Sequence, residues 1–552
     1  MLQEAIAPKR RRGPVRALPI CSMETIPPGT ARVPLGCGQT AALPVHNTRG
    51  DGSSRALLGG HTFDAGDEMQ DHYLRRRLSK TAHVLVRAAA LIVLLLTLSR
   101  PVMAQSLDGL WQSDGYGLLL EIQGPTMTTF QTTSISCVPW WTARRADLDD
   151  KSGEAVFKRG DADIRLTPGP SSDVLQMREG PSISYVRLKR LSGQPKTCNE
   201  MLENTPLNNY AVFWQTFAEQ FALFPLYRID WVAIDRKYRP TVTPSTSPKE
   251  LFGIFRAMIL PFHNAHTNIN AASIGRQYLG YRPVSEIGRR LRSTDALSIE
   301  AILVLFNQEA QRSKAIIESR YSIGPLKPYA NAKIGFGMLK DSIAYLRILA
   351  FEGYTKNGSF EQDVAALQET LDEVFTSAER MKGLIIDVRV NTGGADPLAL
   401  AIASRLASAK YLAYSKVTRD NLSGPPHFTA PQSVWVDVSE RPGYRGSLVL
   451  LIGPETISGG ETFAMALMGR TPRVTFVGEN TQGVFSDVWG RKLPNGWTFG
   501  VPTELYLTNS DKSFDRQGVP PDIRVPVFSK ADLNAVRDGA LERAIQVILE
   551  PQ

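Results

Sequence analysis

The sequence predicts an α/β protein: an α/β core, preceded by a helical region and by a separate small β domain. Three observations carry that expectation. From about residue 332 to 526, apolar strand-like runs alternate with helix-like segments, the pattern of a sheet with helices on its faces. Residues 105–193 break instead into short β runs separated by Gly, Pro, Asp and Ser turns. From about 206, apolar residues recur at three- and four-residue intervals. At 552 residues the chain is too long for a single hydrophobic core.

In chain order, the β domain (105–195) is built on Leu118–Ile122, Ala155–Phe157, Asp163–Leu166 and Ile183–Leu188, and nothing in it resembles a reactive site. The helical region (205–330) opens with Tyr210–Phe221, crosses a Pro/Thr/Ser linker at 240–248 and resumes at Lys249–Leu260. Residues 272–325 read as charged and helical, including Ile299–Phe306. In the core (331–528), buried strands are expected at Ile343–Leu349, Gly383–Arg389, Ser447–Ile452 and Arg473–Val477. Helices are expected at Phe360–Met381, Pro397–Ala407 and Glu461–Met468. Lys530–Leu549, within 529–552, reads as one closing amphipathic helix.

Charge excludes one class of function. Residues 1–104 hold 14 Lys+Arg against 7 Asp+Glu, whereas the rest hold 49 against 47. The basic excess belongs to the leader, so no nucleic-acid partner is expected. Within that leader, Arg75–Lys80 is a basic stretch, Ala88–Ser99 a mostly apolar run, and Val102-Met-Ala104 places small residues as signal peptidase requires. Twelve residues rise only about 18 Å as a helix, short of the roughly 30 Å hydrocarbon core. A cleaved signal peptide at 69–104 is therefore expected, with no stable membrane span afterwards, and the alternative is an uncleaved anchor. Residues 1–68 are expected to be a non-native leader or disordered extension, with Met69 as the true start. Export implies a periplasmic or secreted protein. Cys137 and Cys198 are then either a disulfide or two buried thiols. No Cys/His spacing suggests zinc, and neither metal nor other cofactor is expected.

The chemistry centres on Ser458. It follows an apolar strand by six residues and precedes Gly459-Gly460 and a helix-forming run. There a hydroxyl can be exposed while helix N-terminal amides face a developing oxyanion. On local sequence alone, a helix cap is the simpler reading. A serine nucleophile also needs a base, and near neutral pH that is histidine. Beyond the leader the chain holds only His263, His266 and His427, the last in a Pro-rich loop.

Five segments then resemble one family. Asp387-Val-Arg-Val-Asn-Thr-Gly-Gly394 resembles the D-x-R-x-N-x-G-G signature of the tail-specific, C-terminal-processing and tricorn-type serine peptidases. Thr456-Ile-Ser-Gly-Gly-Glu461 is similar to their nucleophile segment, and Gly478-Glu-Asn-Thr-Gln-Gly483 to their G-E-x-T-x-G loop. Gln517-Gly-Val-Pro-Pro-Asp-Ile-Arg-Val525 resembles the closing G-V-x-P-D-I-x-V, and His263-Asn-Ala-His-Thr267 the D-G-H-T segment that supplies a histidine base. The five stand in the family's order across roughly 205–550.

The resemblance implies a ClpP/crotonase-like core and peptide-bond cleavage through a Ser458 acyl-enzyme, with a peptide or protein as substrate. One branch of the family uses a lysine directly after the loop glycine; that position is Val484, which cannot accept a proton. The histidine-using branch implies His266 as base and Asp515 as accessory acid, with Glu461 a competing acid near the nucleophile. The residue before the base is Ala265 where that branch has a serine. The oxyanion would be held by the amide of Gly459 and one from the Gly393–Gly394 loop. Asp387 and Arg389 read as an ion pair fixing that loop. No PDZ-like segment is expected between His266 and the core, and oligomeric state is not legible. The alternative reading is a non-catalytic relative that binds an apolar ligand or peptide, as retinoid-binding members of the superfamily do.

Overall fold

Eight strands, Gly109–Ser113 through Val186–Leu191, each pair antiparallel with the next in sequence, and the last pairs with the first. The result is a closed up-and-down barrel. Its interior is filled by inward side chains, among them Trp111, Leu118, Leu120, Ile122, Phe157, Ile164 and Leu188. The computed structural model describes residues 106–148, 152–280, 299–420 and 427–550. The basic–apolar leader and its expected signal peptide lie outside the described residues.

The central sheet has seven strands in the order 327–329, 334–338, 343–348, 383–387, 448–452, 475–478, 523–524. The last five run parallel. Ile343–Ile348, Gly383–Asp387 and Leu448–Ile452 are buried at every position, as strands covered on both faces must be. Helices Phe360–Phe375 and Asp396–Leu406 pack with Gly459–Met468 against one apolar cluster, and Gly539–Leu549 against another. Ser359 and Gln362 form a capping box that starts the first of these helices. Four of the core strands thus fall within about two residues of their expected positions, and the mixed α/β class with a separate barrel is the observed one.

Two expectations are corrected. The stretch from 272 does not begin as α-helix: Asn268–Ala271 and Arg276–Leu279 form a hairpin joined by the 3-10 turn Ala272–Ile274 and Gly275, whose φ is +61°. The first of these strands then pairs with Thr498–Pro502 of the core. Helix resumes at Ile299–Arg320, and 281–298 lie outside the described residues. Nor is the C-terminal helix continuous. It breaks between Lys530–Asn534 and Gly539–Leu549, where Val536 is left-handed and Asp538 caps the second helix at the Leu541 amide. The same Asp538 carboxylate reaches the buried Arg389, an anchor that periodicity does not reveal.

Barrel and core are tied together. Cys137 of the barrel is disulfide-bonded to Cys198, with Cα atoms 4.9 Å apart. Tyr116 Oη donates to Glu504 at 2.7 Å, and Lys416 Nζ donates to Ser184 Oγ at 3.0 Å.

Candidate active site

The turn after Leu448–Ile452 is built by Thr456. Its hydroxyl donates to the Val388 carbonyl at 2.8 Å and accepts from Gly453 N at 3.1 Å, while the Ile457 amide donates to Asn391 O. Ser458 then takes φ +54°, ψ −121°, and the helix begins at Gly459. Ser458 is the N-cap of this helix and forms a capping box with Glu461, but an ordinary N-cap residue is extended, so capping alone does not account for this backbone. A non-glycine residue held there costs on the order of 1–3 kcal/mol. The conformation is that of a sharp strand-to-helix elbow, which lifts a serine hydroxyl clear of its own backbone. Ser458 is part-buried in the wall of the site.

Opposite it lies the Asn391–Gly394 loop. Gly393 (φ +88°) and Gly394 (φ +125°) both need the freedom of glycine. A Cβ built on Gly393 would lie 2.7 Å from Ser458 Cβ, and one on Gly459 would lie 2.7 Å from Gly394 O. Gly460 has the same constraint from Asn391 Oδ1, at 2.8 Å. The glycines of two distant motifs are therefore the surfaces on which the two loops touch. Gly393 N donates to Asn391 Oδ1 at 2.9 Å, and Gly459, as the first helical residue, has an amide with no intrahelical acceptor.

Glu461 binds the third loop. Its carboxylate accepts from Thr481 Oγ1, Gly483 N, Val484 N and Ser458 N, at 2.5, 2.6, 2.7 and 3.3 Å. Burial pushes its carboxyl up to about 7 against those donors. Val484, the position that would hold a lysine, is buried, and its carbonyl accepts from Ser458 N at 3.1 Å. Asp515 accepts from Phe485 N and Ser513 Oγ at 3.3 and 3.2 Å; burial, reinforced by Glu461, pushes it up to about 8. Thr481 also receives the Val519 amide at 2.7 Å, which docks the closing motif onto the same loop.

His266 lies two residues before the Asn268–Ala271 strand, its amide donating to Asn264 Oδ1 at 2.8 Å. Burial of the ring pushes its pKa down to about 4, against the opposing Asp487 carboxylate and Ser486 carbonyl. It is therefore neutral at pH 7, as a base must be. His263 is exposed and lines a cavity of about 130 Å³ with Tyr227, Gly483 and Arg516, and His427 is bonded to Asp420 on the surface.

Arg389 is fully buried between Asp387 and Asp538, at 2.6 and 2.7 Å, with Tyr345 Oη on Asp387 at 2.5 Å. Burial opposes ionisation of Asp387, but the guanidinium brings its carboxyl below the usual range. This is the ion pair expected to fix the loop, extended by a third member. Sequence reasoning missed another cluster. Lys416 contacts Asp487 at 2.6 Å and Glu504 at 3.2 Å, while Thr462 and Tyr414 bind Asp396 at 2.6 and 3.0 Å. The only signal was a charged side chain two residues from a tyrosine, Lys416 from Tyr414 and Glu504 from Tyr506, on strands with buried faces. Among the described residues, no group of three or more His, Cys, Asp and Glu could hold a metal ion.

A parallel sheet ends in a strained serine elbow with a glycine loop across from it, a geometry suited to acyl transfer. Residues 342–525 match the model of Peptidase family S41. The crystal structure of a candidate peptidase from Parabacteroides merdae is similar at 23% identity and a TM-score of 0.51, covering 63% of this chain and 98% of that one. Mature CPAF complexed with lactacystin is similar at 13% identity and a TM-score of 0.45, covering 62% and 97%. The photosystem II D1 C-terminal processing protease is similar at 13% identity and a TM-score of 0.35, covering 58% and 93%. No curated protein matches the chain.

Proposed function

We propose that the protein is an exported serine peptidase, an endopeptidase or a carboxy-terminal-processing type, that cleaves peptide bonds through a Ser458 acyl-enzyme with His266 as base. The observation that carries this reading is the Ser458 elbow seated on Gly393. In the reading, His266 takes the Ser458 proton as Oγ attacks the peptide carbonyl. The oxyanion is held by the Gly459 amide and by that of Gly394, since the Gly393 amide is engaged by Asn391. Collapse expels the amine, which receives the proton from His266, and water attacks the ester by the reverse route. Asp515, the accessory acid that resemblance implies, and Glu461, the competing acid near the nucleophile, support it here by holding the 483–485 segment.

Export is supported by the leader's basic, apolar and small-residue order and by the Cys137–Cys198 disulfide. N-terminal sequencing of the exported protein should begin at Gln105; a mature form that keeps Ala88–Ser99 contradicts export by cleavage. For the activity, a mixed peptide library digested by the purified protein and read by mass spectrometry should yield cleavage products that Ser458→Ala does not. Equal product from both proteins contradicts the assignment.

A further inference from the structure

The proposed base needs a group that orients its ring and stabilises the imidazolium formed in the transition state. Asp515, the acid that resemblance suggests, is held by Phe485 N and Ser513 Oγ and is not among the groups acting on the His266 ring, which are Asp487 and the Ser486 backbone. Asp487 is placed differently. Asn268, two residues after His266, and Gly490, three after Asp487, both pair with Gly500, on its two sides. The chain ends leading into those strands are therefore neighbours across Thr498–Pro502. A Cβ on Gly500 would lie 2.8 Å from His266 O and 2.7 Å from Val488 Cγ1, which fixes how close the two segments come. His266 Nδ1 is buried with no hydrogen-bond partner of its own.

The Asp487 side chain is half exposed. It is locked from behind: Oδ2 receives Lys416 Nζ at 2.6 Å and Oδ1 receives Tyr506 Oη at 3.1 Å. Lys416 is itself fixed by Ser184 Oγ and Glu504, and Glu504 by Tyr116 Oη, so two barrel residues close the network. Lys416 keeps Asp487 ionised despite partial desolvation.

We propose that Asp487, held by Lys416, is the positioning residue for His266: its carboxylate faces the buried imidazole and stabilises the protonated ring as Ser458 attacks. The assignment rests on the Ser458–His266 reading. The Asp487 charge favours protonation of His266, with a smaller contribution from a backbone hydrogen bond at Ser486. The groups packed behind it are Lys416, Glu504, Tyr506, Asp396, Tyr414 and Tyr116.

The test compares fluorophosphonate labelling rates of wild type, His266→Ala, Asp487→Asn and Asp515→Asn across pH. Removing an anion beside an imidazole lowers the imidazole pKa, so Asp487→Asn should move the acid limb to lower pH. It should also slow the plateau rate about tenfold, the equivalent of one pKa unit of lost interaction. Asp515→Asn should leave the limb in place. A merely structural role for Asp487 would lower the plateau without moving the limb, and that result overturns the proposal. If His266→Ala labels like wild type, the base assignment itself has failed. If His266→Ala is inert while Asp487→Asn matches wild type, only the Asp487 assignment falls. Should Asn at 487 prevent folding, Asp487→Glu reads the same question: the retained carboxylate should keep the limb and most of the rate, and a folded Asp487→Glu that is strongly slowed with its limb still at the wild-type position contradicts the role.

Discussion

The barrel and the α/β core bury apolar side chains alike, but they treat charge in opposite ways. Among the described barrel residues, the buried polar groups are hydroxyls and one amide: Thr129, Gln131, Thr132, Thr133, Ser136 and Ser184. The core buries Asp387, Arg389, Lys416, Glu461, Glu504 and Asp515. Burying an ion is expensive unless it is paired and hydrogen-bonded. A region that does so repeatedly holds backbone and side chains in place for another purpose. We propose that the barrel is scaffold, while Glu461 and Asp515 of the core hold the 483–485 loop beside the elbow.

The strongest way to sharpen that contrast is Ser458→Ala. Removing a serine nucleophile costs on the order of 10⁶ in kcat, and the melting temperature should hardly move, because Ala inherits the same backbone strain. Next comes Gly460→Ala, whose new methyl meets Asn391 Oδ1 and must push the two loops apart. A displaced oxyanion donor costs on the order of 10²–10³ in kcat, with KM nearly unchanged, and steady-state kinetics reads both. Buried charge is probed by Arg389→Met, which strands Asp387 and Asp538. Leaving a buried partner uncompensated costs about 3–5 kcal/mol, measured by denaturant unfolding. Because folding depresses the Asp387 carboxyl, its stabilisation is present above the ordinary carboxylate pKa and is lost as pH falls below about 4. Arg389→Met should flatten that acid loss.

The barrel gives the control. Cys137→Ser opens a link between residues 61 apart, which costs about 4 kcal/mol by loop entropy. Well below the melting transition its peptidase rate should match wild type; a rate loss at full folding would break the scaffold view. Asp515→Asn acts on stability through pH. Its carboxyl titrates near 8 when folded, so the wild type loses stability as pH rises from about 4 toward 8, where only the unfolded chain ionises freely. Asn should remove that slope and leave the protein more stable than the wild type at pH 8.

Much of the core was legible because its strands are continuous apolar runs and its loops carry glycines in fixed order. Gly383–Asp387 and Leu448–Ile452 are examples of the first, Gly393, Gly394 and Gly459 of the second. The elbow itself was not legible, since no residue type announces a serine at positive φ; its neighbours in space do. The strand at Arg276–Leu279 hid behind charged side chains because its partners, at 268–271, in turn pair with residues near 500. The Lys416–Asp487–Glu504 cluster was invisible for the same reason: its members are separated by tens of residues and meet only through strand pairing.

The central claim is that Ser458 attacks with His266 as its base. Labelling the folded protein with a fluorophosphonate and mapping the adduct by peptide mass spectrometry tests it most directly. The account predicts one adduct, on Ser458, abolished by Ser458→Ala and strongly slowed by His266→Ala. No adduct on the folded wild type, or labelling indifferent to His266, would contradict it.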